Sequence, residues 1–149
     1  MPKELTKTFK GILNLKYVEV QNVPVHKSER FGTTMDAAVL KRVEKIAAIA
    51  LLEQRVPLRG GEVQFLREVA GISQRKLGQL LGYSGVAILK WERSPNKRLA
   101  PVNEVAVRAL MAGQLNIKLL GTFEALLGIE KSPKALVLDY SGMQTRLIA

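Results

Sequence analysis

The apolar positions of the chain follow two periods. Residues 15–23, Leu15-Lys16-Tyr17-Val18-Glu19-Val20-Gln21-Asn22-Val23, interleave β-branched and aromatic side chains with polar ones, the pattern of a half-buried strand. The first 25 residues lack a helical period, so one or two strands are predicted there, ended by Pro24. From Thr33 the spacing lengthens. Val39, Val43, Ile46, Ala47, Ala50 and Leu51 recur every three or four positions, which puts them on one face of a helix of about five turns that stops before Pro57. Thr33-Thr34-Met35-Asp36 resembles a capping box with Asp in place of Glu, and Lys41, Arg42, Glu44 and Lys45 fall off the stripe.

Glycine punctuates the middle of the chain. Arg59-Gly60-Gly61 reads as a flexible joint and a domain boundary. Beyond it the pattern predicts helices over 62–70 before Gly71, 73–81 before Gly82, and 84–91. A polar loop, 92–98, leads to Pro101, which opens another helix to Ala112 before Gly113. Residues 122–127 suit a short helix, and 135–140 with 144–148 suit a hairpin or two loose strands around Ser141-Gly142.

Composition narrows the chemistry. With 47% apolar and 24% charged residues in 149, a packed core is expected. The longest apolar run, 46–52, has seven residues, against the ~20 that a bilayer requires. Met1-Pro2-Lys3-Glu4 leads into polar residues, so the chain is expected to be cytoplasmic. There is no cysteine, which removes disulfides, thiolate zinc sites and cysteine nucleophiles together. His26 is the only histidine, so a catalytic triad would have to run through it and multi-histidine metal sites are impossible. Asp36, Glu44, Glu53, Glu62 and Glu68 stand at ordinary salt-bridge spacings, and no Gly-Lys-Ser/Thr follows Gly60-Gly61. Neither an enzyme nor a cofactor-bound protein is expected.

The net charge is +10, and an excess of this size points to a polyanionic partner. Its distribution is uneven: net +4 over residues 1–58, +5 over 59–98 and +1 over 99–149, with six basic residues and only Glu92 against them in 73–98. RNA fits less well than DNA, since aromatic residues are 5% of the chain and Tyr83 and Trp91 are needed in a core.

Three short helices with a tight glycine-containing turn between the second and third make a helix-turn-helix, whose last member lies in the DNA major groove. Ser73 is placed to cap the first motif helix, so that its free backbone amides face a phosphate with Gln74 and Arg75 beside them. Leu77, Leu80 and Leu81 supply its buried face, Gly82 ends it, Tyr83 anchors the turn and Ser84 caps the next helix. Ile88 and Trp91 are spaced to point inward, which leaves Gly85, Val86, Leu89 and Lys90 on or near the outward face.

The run Phe65-Leu66-Arg67-Glu68-Val69-Ala70-Gly71-Ile72-Ser73-Gln74-Arg75-Lys76-Leu77-Gly78-Gln79-Leu80-Leu81-Gly82-Tyr83-Ser84, followed by Ile88 and Trp91-Glu92, resembles the Xre/Cro-type helix-turn-helix of phage repressors over residues 61–112. The resemblance implies that Gln74 clamps the phosphate backbone, that Ser84, Gly85, Val86 and Lys90 face bases or backbone, and that Arg93, Lys97 and Arg98 flank the groove on phosphates. It also implies that Arg67 pairs with Glu92. At those positions Lys90 suits guanine O6 or N7, Val86 a thymine methyl, and Gly85 close approach without base choice. Operator choice then leans on Lys90, DNA shape and two-fold spacing. The chain departs from the family after Trp91-Glu92, where Ser94-Pro95 replaces the usual nearby glycine.

The order of strand-rich piece, connecting helix and helix-turn-helix is similar to the MqsA class of bacterial antitoxins. Asn22-Val23-Pro24-Val25, residues 29–32 and the long helix sit where that class has a zinc-knuckle module. That class holds zinc with Cys-x-x-Cys pairs, whereas this stretch reads His26-Lys27-Ser28-Glu29-Arg30-Phe31. A homologous module would hold no metal, build its core from Phe31, Tyr17 and Phe9, and leave His26 on a surface loop. The resemblance implies an antitoxin that sequesters a small toxin while the helix-turn-helix represses their shared operon. The alternative is a stand-alone Xre-family regulator.

The expected fold is mainly α: an Xre-type five-helix domain at 59–113, preceded by a small α+β module at 1–58 and followed by a short C-terminal extension at 114–149. Val105, Ala106, Ala109 and Leu110, with Leu119, Leu120, Leu126 and Leu127, exceed what a five-helix core needs and are assigned to a homodimer interface. Such a dimer matches a palindromic operator with half-sites roughly 34 Å apart. The expected partners are double-stranded DNA, a second copy of the chain and a small toxin, with no membrane and no metal.

Overall fold

The computed structural model describes residues 5–142 and 145–149. Residues 1–4, on which the N-terminal reading falls, and Gln144, where the last expected strand begins, lie outside the described residues. The elements run β1 (Thr6–Lys10), a 3-10 turn (Ile12–Asn14), β2 (Val18–Pro24), β3 (His26–Ser28), β4 (Gly32–Thr34), α1 (Ala37–Glu53), α2 (Gly60–Ala70), α3 (Gln74–Leu81), α4 (Gly85–Glu92), α5 (Pro101–Gln114), α6 (Phe123–Leu126), β5 (Ala135–Asp139) and β6 (Thr145–Ile148). Among the described residues there are six helices, 45% of the chain, and a four-stranded mixed sheet within 20% strand. The chain is therefore a mixed α/β protein, which overturns the expectation of a mainly α, five-helix Xre-type fold. Two causes stand out. Residues 60–114 form four helices instead of five, and the C-terminal stretch adds two strands to a sheet begun near the N-terminus.

The chain divides into two compact units, the described part of Met1–Ala50 with Pro133–Ala149, and Leu51–Ser132. These divisions do not coincide with 58/59 and 113/114. In the first unit the strand order is β1-β2-β5-β6. β1 pairs antiparallel with β2, β2 parallel with β5 (Val20 opposite Leu138), and β5 antiparallel with β6. β2 buries Val18 and Val20 by alternation and Val23 beyond the irregularity at Asn22, and β5 buries Leu136, Val137 and Leu138, each worth ~1.5–3 kcal/mol of apolar burial. A parallel pair needs a crossover, and here the whole second unit lies in sequence between its two strands. The core is aliphatic. Phe31 is 71% exposed and Phe9 and Tyr17 are half-buried, so the expected aromatic core is not formed.

β3 and β4 make a separate hairpin whose six strand residues are all exposed. This pairing takes Thr33 and Thr34 away from the capping role, and α1 starts later, at Ala37, with Leu40 N–H donating to the Asp36 carbonyl at 3.0 Å. His26 lies in β3, exposed, with Nε2 3.1 Å from Asp36 Oδ2. Within the same unit Arg42 donates to the Tyr140 carbonyl from Nε and Nη2 and stacks 5.1 Å from the Tyr140 ring centroid.

In the second unit α2 buries Val63, Phe65 and Leu66, α3 buries Leu77, α4 buries Ile88, and α5 buries Val107 and Met111. Gly60 and Gly61 are not a flexible joint but the first turn of α2. A Cβ at Gly60 would lie 1.9 Å from the Trp91 carbonyl oxygen, so the backbones of α2 and α4 touch there and only glycine fits. The Gly60 and Gly61 N–H groups donate to Lys97 and Pro95 carbonyls, both at 3.1 Å. Gly113 likewise lies inside α5 and does not end it.

Candidate nucleic-acid interface

α3, the turn Gly82-Tyr83-Ser84 and α4 form the helix-turn-helix, and local chemistry explains each boundary. Ser73 Oγ accepts from Lys76 N–H at 3.0 Å and Ser84 Oγ from Ala87 N–H at 3.2 Å, capping the two helices. Gly82, with φ 80°, takes the left-handed conformation that ends α3. Gly78 lets the turn close on α3: a Cβ there would sit 2.6 Å from the Tyr83 carbonyl oxygen. A Cβ on Gly85 would sit 3.2 Å from Arg75 Cα, so Gly85 serves the approach of α4 to α3 and is only partly accessible. Tyr83 packs edge-on to Trp91 at 5.3 Å and donates its hydroxyl to Asn103 Oδ1 at 2.9 Å. Leu80, expected in the core, is 43% exposed.

The motif is tied to α2 by one buried carboxylate. Glu92 accepts from Arg67 Nε and Nη2, both at 2.8 Å, and from Gln74 Nε2 at 3.2 Å. Arg67 also donates to the Ile72 carbonyl at 3.0 Å. The Arg67–Glu92 pair is thus present. Gln74 points its amide inward to Glu92 and not toward solvent.

The basic residues of this region separate into two sets. Arg59, Arg67 and Arg98 hold the buried or nearly buried carboxylates Glu62, Glu92 and Glu104. Arg75, Lys76, Lys90, Arg93 and Lys97 are exposed and have no side-chain hydrogen-bond or ion-pair partner among the described residues. All five lie on α3, on α4 or in the loop between α4 and α5. Of the ten residues singled out from the sequence, Ser73, Arg75, Ser84, Val86, Lys90, Arg93 and Lys97 are exposed on this stretch, and Val86 is 60% exposed. Gln74, Arg75, Ser84, Gly85 and Val86 border one shallow groove across the two helices, with Gln79, Tyr83 and Leu89. Arg98 does not join them: its guanidinium donates to both Glu104 oxygens at 2.9 Å and to the Gly128 and Glu130 carbonyls at 3.2 and 2.9 Å.

Sequence reasoning missed the cluster behind that arginine. Glu104, wholly buried, also accepts from Leu58 N–H at 2.8 Å and Gly128 N–H at 2.7 Å. Burial pushes its carboxyl up, but the hydrogen bonds from Arg98, Gly128 and Leu58 outweigh that and hold it below the usual carboxylate range. Arg108, one turn further along α5, is 3.7 Å from Glu104 and donates to the Leu126 and Val56 carbonyls. Burial lowers its pKa to about 10, opposed by Glu104. The i, i+4 spacing of Glu104 and Arg108 was the one available signal, but such pairs are usually solvated.

The arrangement leaves five exposed cations without side-chain partners among the described residues on and beside two serine-capped helices. No family model, curated protein or solved structure matches the chain. No helix is long and apolar enough to cross a membrane among the described residues.

Proposed function

We propose that the chain is a sequence-specific DNA-binding transcriptional repressor that acts through α3 and α4 in the cytoplasm. The observation that carries the reading is the division of the cations: the arginines needed by the fold are paired with buried carboxylates, while Arg75, Lys76, Lys90, Arg93 and Lys97 stand exposed and unpaired along the helix-turn-helix among the described residues. In this reading α4 enters the major groove, with Lys90 toward guanine and Val86 toward a thymine methyl. Arg75, Lys76, Arg93 and Lys97 meet phosphates, which orient the protein without reading sequence. Ser73 and Ser84 act by shaping the two helices, and Gln74 by bracing Glu92. A homodimer through the outer face of α5, where Val105, Ala106 and Leu110 are half-buried and Ala109 exposed, would place two α4 helices on a palindrome. Leu126 is buried under α5 and is left out of that surface.

A toxin partner is the second half of the proposal. It is favoured by the hairpin β3–β4, whose strand residues are all exposed and which presents Phe31 with Arg30 5.2 Å above its ring, two residue types enriched at protein–protein interfaces. The hairpin has no thiolate to hold a zinc ion of the MqsA kind, so any such contact is made by protein side chains. A stand-alone regulator is the alternative, distinguished by whether a small neighbouring gene product co-purifies. The test of DNA binding is footprinting on the DNA upstream of the gene. Two protected half-sites about 34 Å apart are expected, and uniform cleavage at saturating protein would refute the reading.

A further inference from the structure

A cleft of about 400 Å³ opens beside the C-terminal end of α4, within the ~300–1,000 Å³ typical of small-molecule sites. Three segments converge on it: Lys90 and Trp91 from α4, Ser94, Lys97 and Leu99 from the adjoining loop, and Asn103 from α5. Leu99 is buried and Trp91 half-buried, so part of the wall is apolar. Lys90 and Lys97 are exposed, and no carboxylate lines the cleft among the described residues. Asn103 Oδ1 takes the Tyr83 hydroxyl, which fixes the amide and leaves its NH2 group without a partner among the described residues. Arg98, also at the wall, is engaged by Glu104.

The side chains that line this cleft carry two ammonium groups, an amide NH2, a hydroxyl (Ser94) and an indole N–H (Trp91), a set that suits an anion of more than one charge. The indole and Leu99 add a surface for a planar or apolar body. A DNA phosphate supplies the charge but not the body. We propose that the cleft binds a small organic phosphate, of the size and chemistry of a nucleoside monophosphate, and that its occupancy competes with DNA for Lys90 and Lys97. The competition rests on the DNA-binding reading, whereas the binding does not.

Trp91 is the only tryptophan of the chain, so its fluorescence reports the cleft directly. DNA-free protein is titrated with adenosine monophosphate, inorganic phosphate and adenosine. The expected result is a saturable change with the monophosphate, at least tenfold weaker for inorganic phosphate and for adenosine, and at least tenfold weaker in Lys97→Ala and in Asn103→Leu. Arg75→Ala, outside the cleft, binds the monophosphate as the wild type does. In a second arm, the monophosphate raises the apparent Kd of a labelled upstream duplex. A titration that does not saturate overturns the site, as does one that neither Lys97→Ala nor Asn103→Leu alters. Inorganic phosphate binding as tightly as the monophosphate, with the duplex giving the same spectral change, reduces the cleft to a contact for backbone phosphate and overturns it too. Saturable binding without any duplex binding keeps the site and removes the competition. Duplex binding without monophosphate binding removes the site and keeps the DNA reading.

Discussion

Replacing Glu104 with Gln keeps the shape of the side chain and removes its charge at the centre of the second unit. Each carboxylate oxygen accepts two hydrogen bonds, Oε1 from Leu58 N–H and Arg98 Nε and Oε2 from Arg98 Nη2 and Gly128 N–H, all at 2.7–2.9 Å. In either orientation the new amide turns an NH2 group toward two N–H donors. A buried backbone N–H and a part-buried Arg98 N–H are then left unsatisfied, the first at ~1–3 kcal/mol and the second at less, and Arg108, wholly buried, loses its nearest carboxylate. The sum agrees with the ~3–5 kcal/mol of breaking a buried pair on one side. At ~2–4 °C per kcal/mol for a chain of this length, the melting midpoint falls by about 6–20 °C at pH 7, measured by circular dichroism or calorimetry. The pH dependence has a defined sign. The folded-state pKa of Glu104 is lowered from 4.5, so its contribution is present above the unfolded value and is lost as pH falls through the depressed folded one. The gap between wild type and Glu104→Gln therefore narrows as the solution is acidified below the ordinary carboxylate range. A variant melting within 2 °C of wild type at pH 7, or a gap that does not change with acidification, would refute the reasoning.

Other substitutions probe separate steps. Gly78→Ala forces a Cβ against the Tyr83 carbonyl oxygen and lowers the midpoint, whereas Gly113→Ala, with nothing within 4 Å inside α5, raises stability by ~0.4–1 kcal/mol; equal effects would remove the close-approach argument. Lys90→Ala relaxes sequence preference in a binding selection, while Arg75→Ala weakens all duplexes alike; the reverse pattern would exchange their roles. Arg98→Gln costs stability and leaves the salt dependence of DNA affinity unchanged, since its guanidinium is occupied within the fold. A reduced salt slope in a variant that melts normally would return Arg98 to the DNA face.

What the sequence disclosed was local. Gly71 and Gly82 end helices because φ near 71° and 80° suits glycine, and Ser73 and Ser84 cap because their hydroxyls reach an amide three residues on; such signals lie within one turn of the chain. Gly60 reads as a joint when taken alone, and becomes a contact only once Trp91 is packed against it. Gly113 carries the same letter and ends nothing, because the chain beyond it stays helical to Gln114. The pairing of Val20 with Leu138 spans the whole second unit in sequence and leaves no mark beyond apolar alternation in β2 and a short apolar run in β5. Residues 135–148 therefore read as a hairpin or two loose strands, without a sign that β5, antiparallel to β6, also joins β2, and the fold reads as mainly α. The Arg67–Glu92 pair was legible through resemblance. The engagement of Arg98 by Glu104 was not, since a basic residue in a basic loop shows nothing of the carboxylate it faces.

The most direct test of DNA binding is the salt dependence of affinity for the upstream duplex, measured by fluorescence anisotropy between 50 and 200 mM salt. In the proposed dimer four phosphate-facing cations per protomer, Arg75, Lys76, Arg93 and Lys97, give a fall of ~10³–10⁵-fold on a palindrome, and Arg93→Ala lowers the log–log slope by about 1 for each phosphate that is no longer neutralised. No binding at 50 mM salt, or an affinity indifferent to salt and to Arg93, would contradict the account.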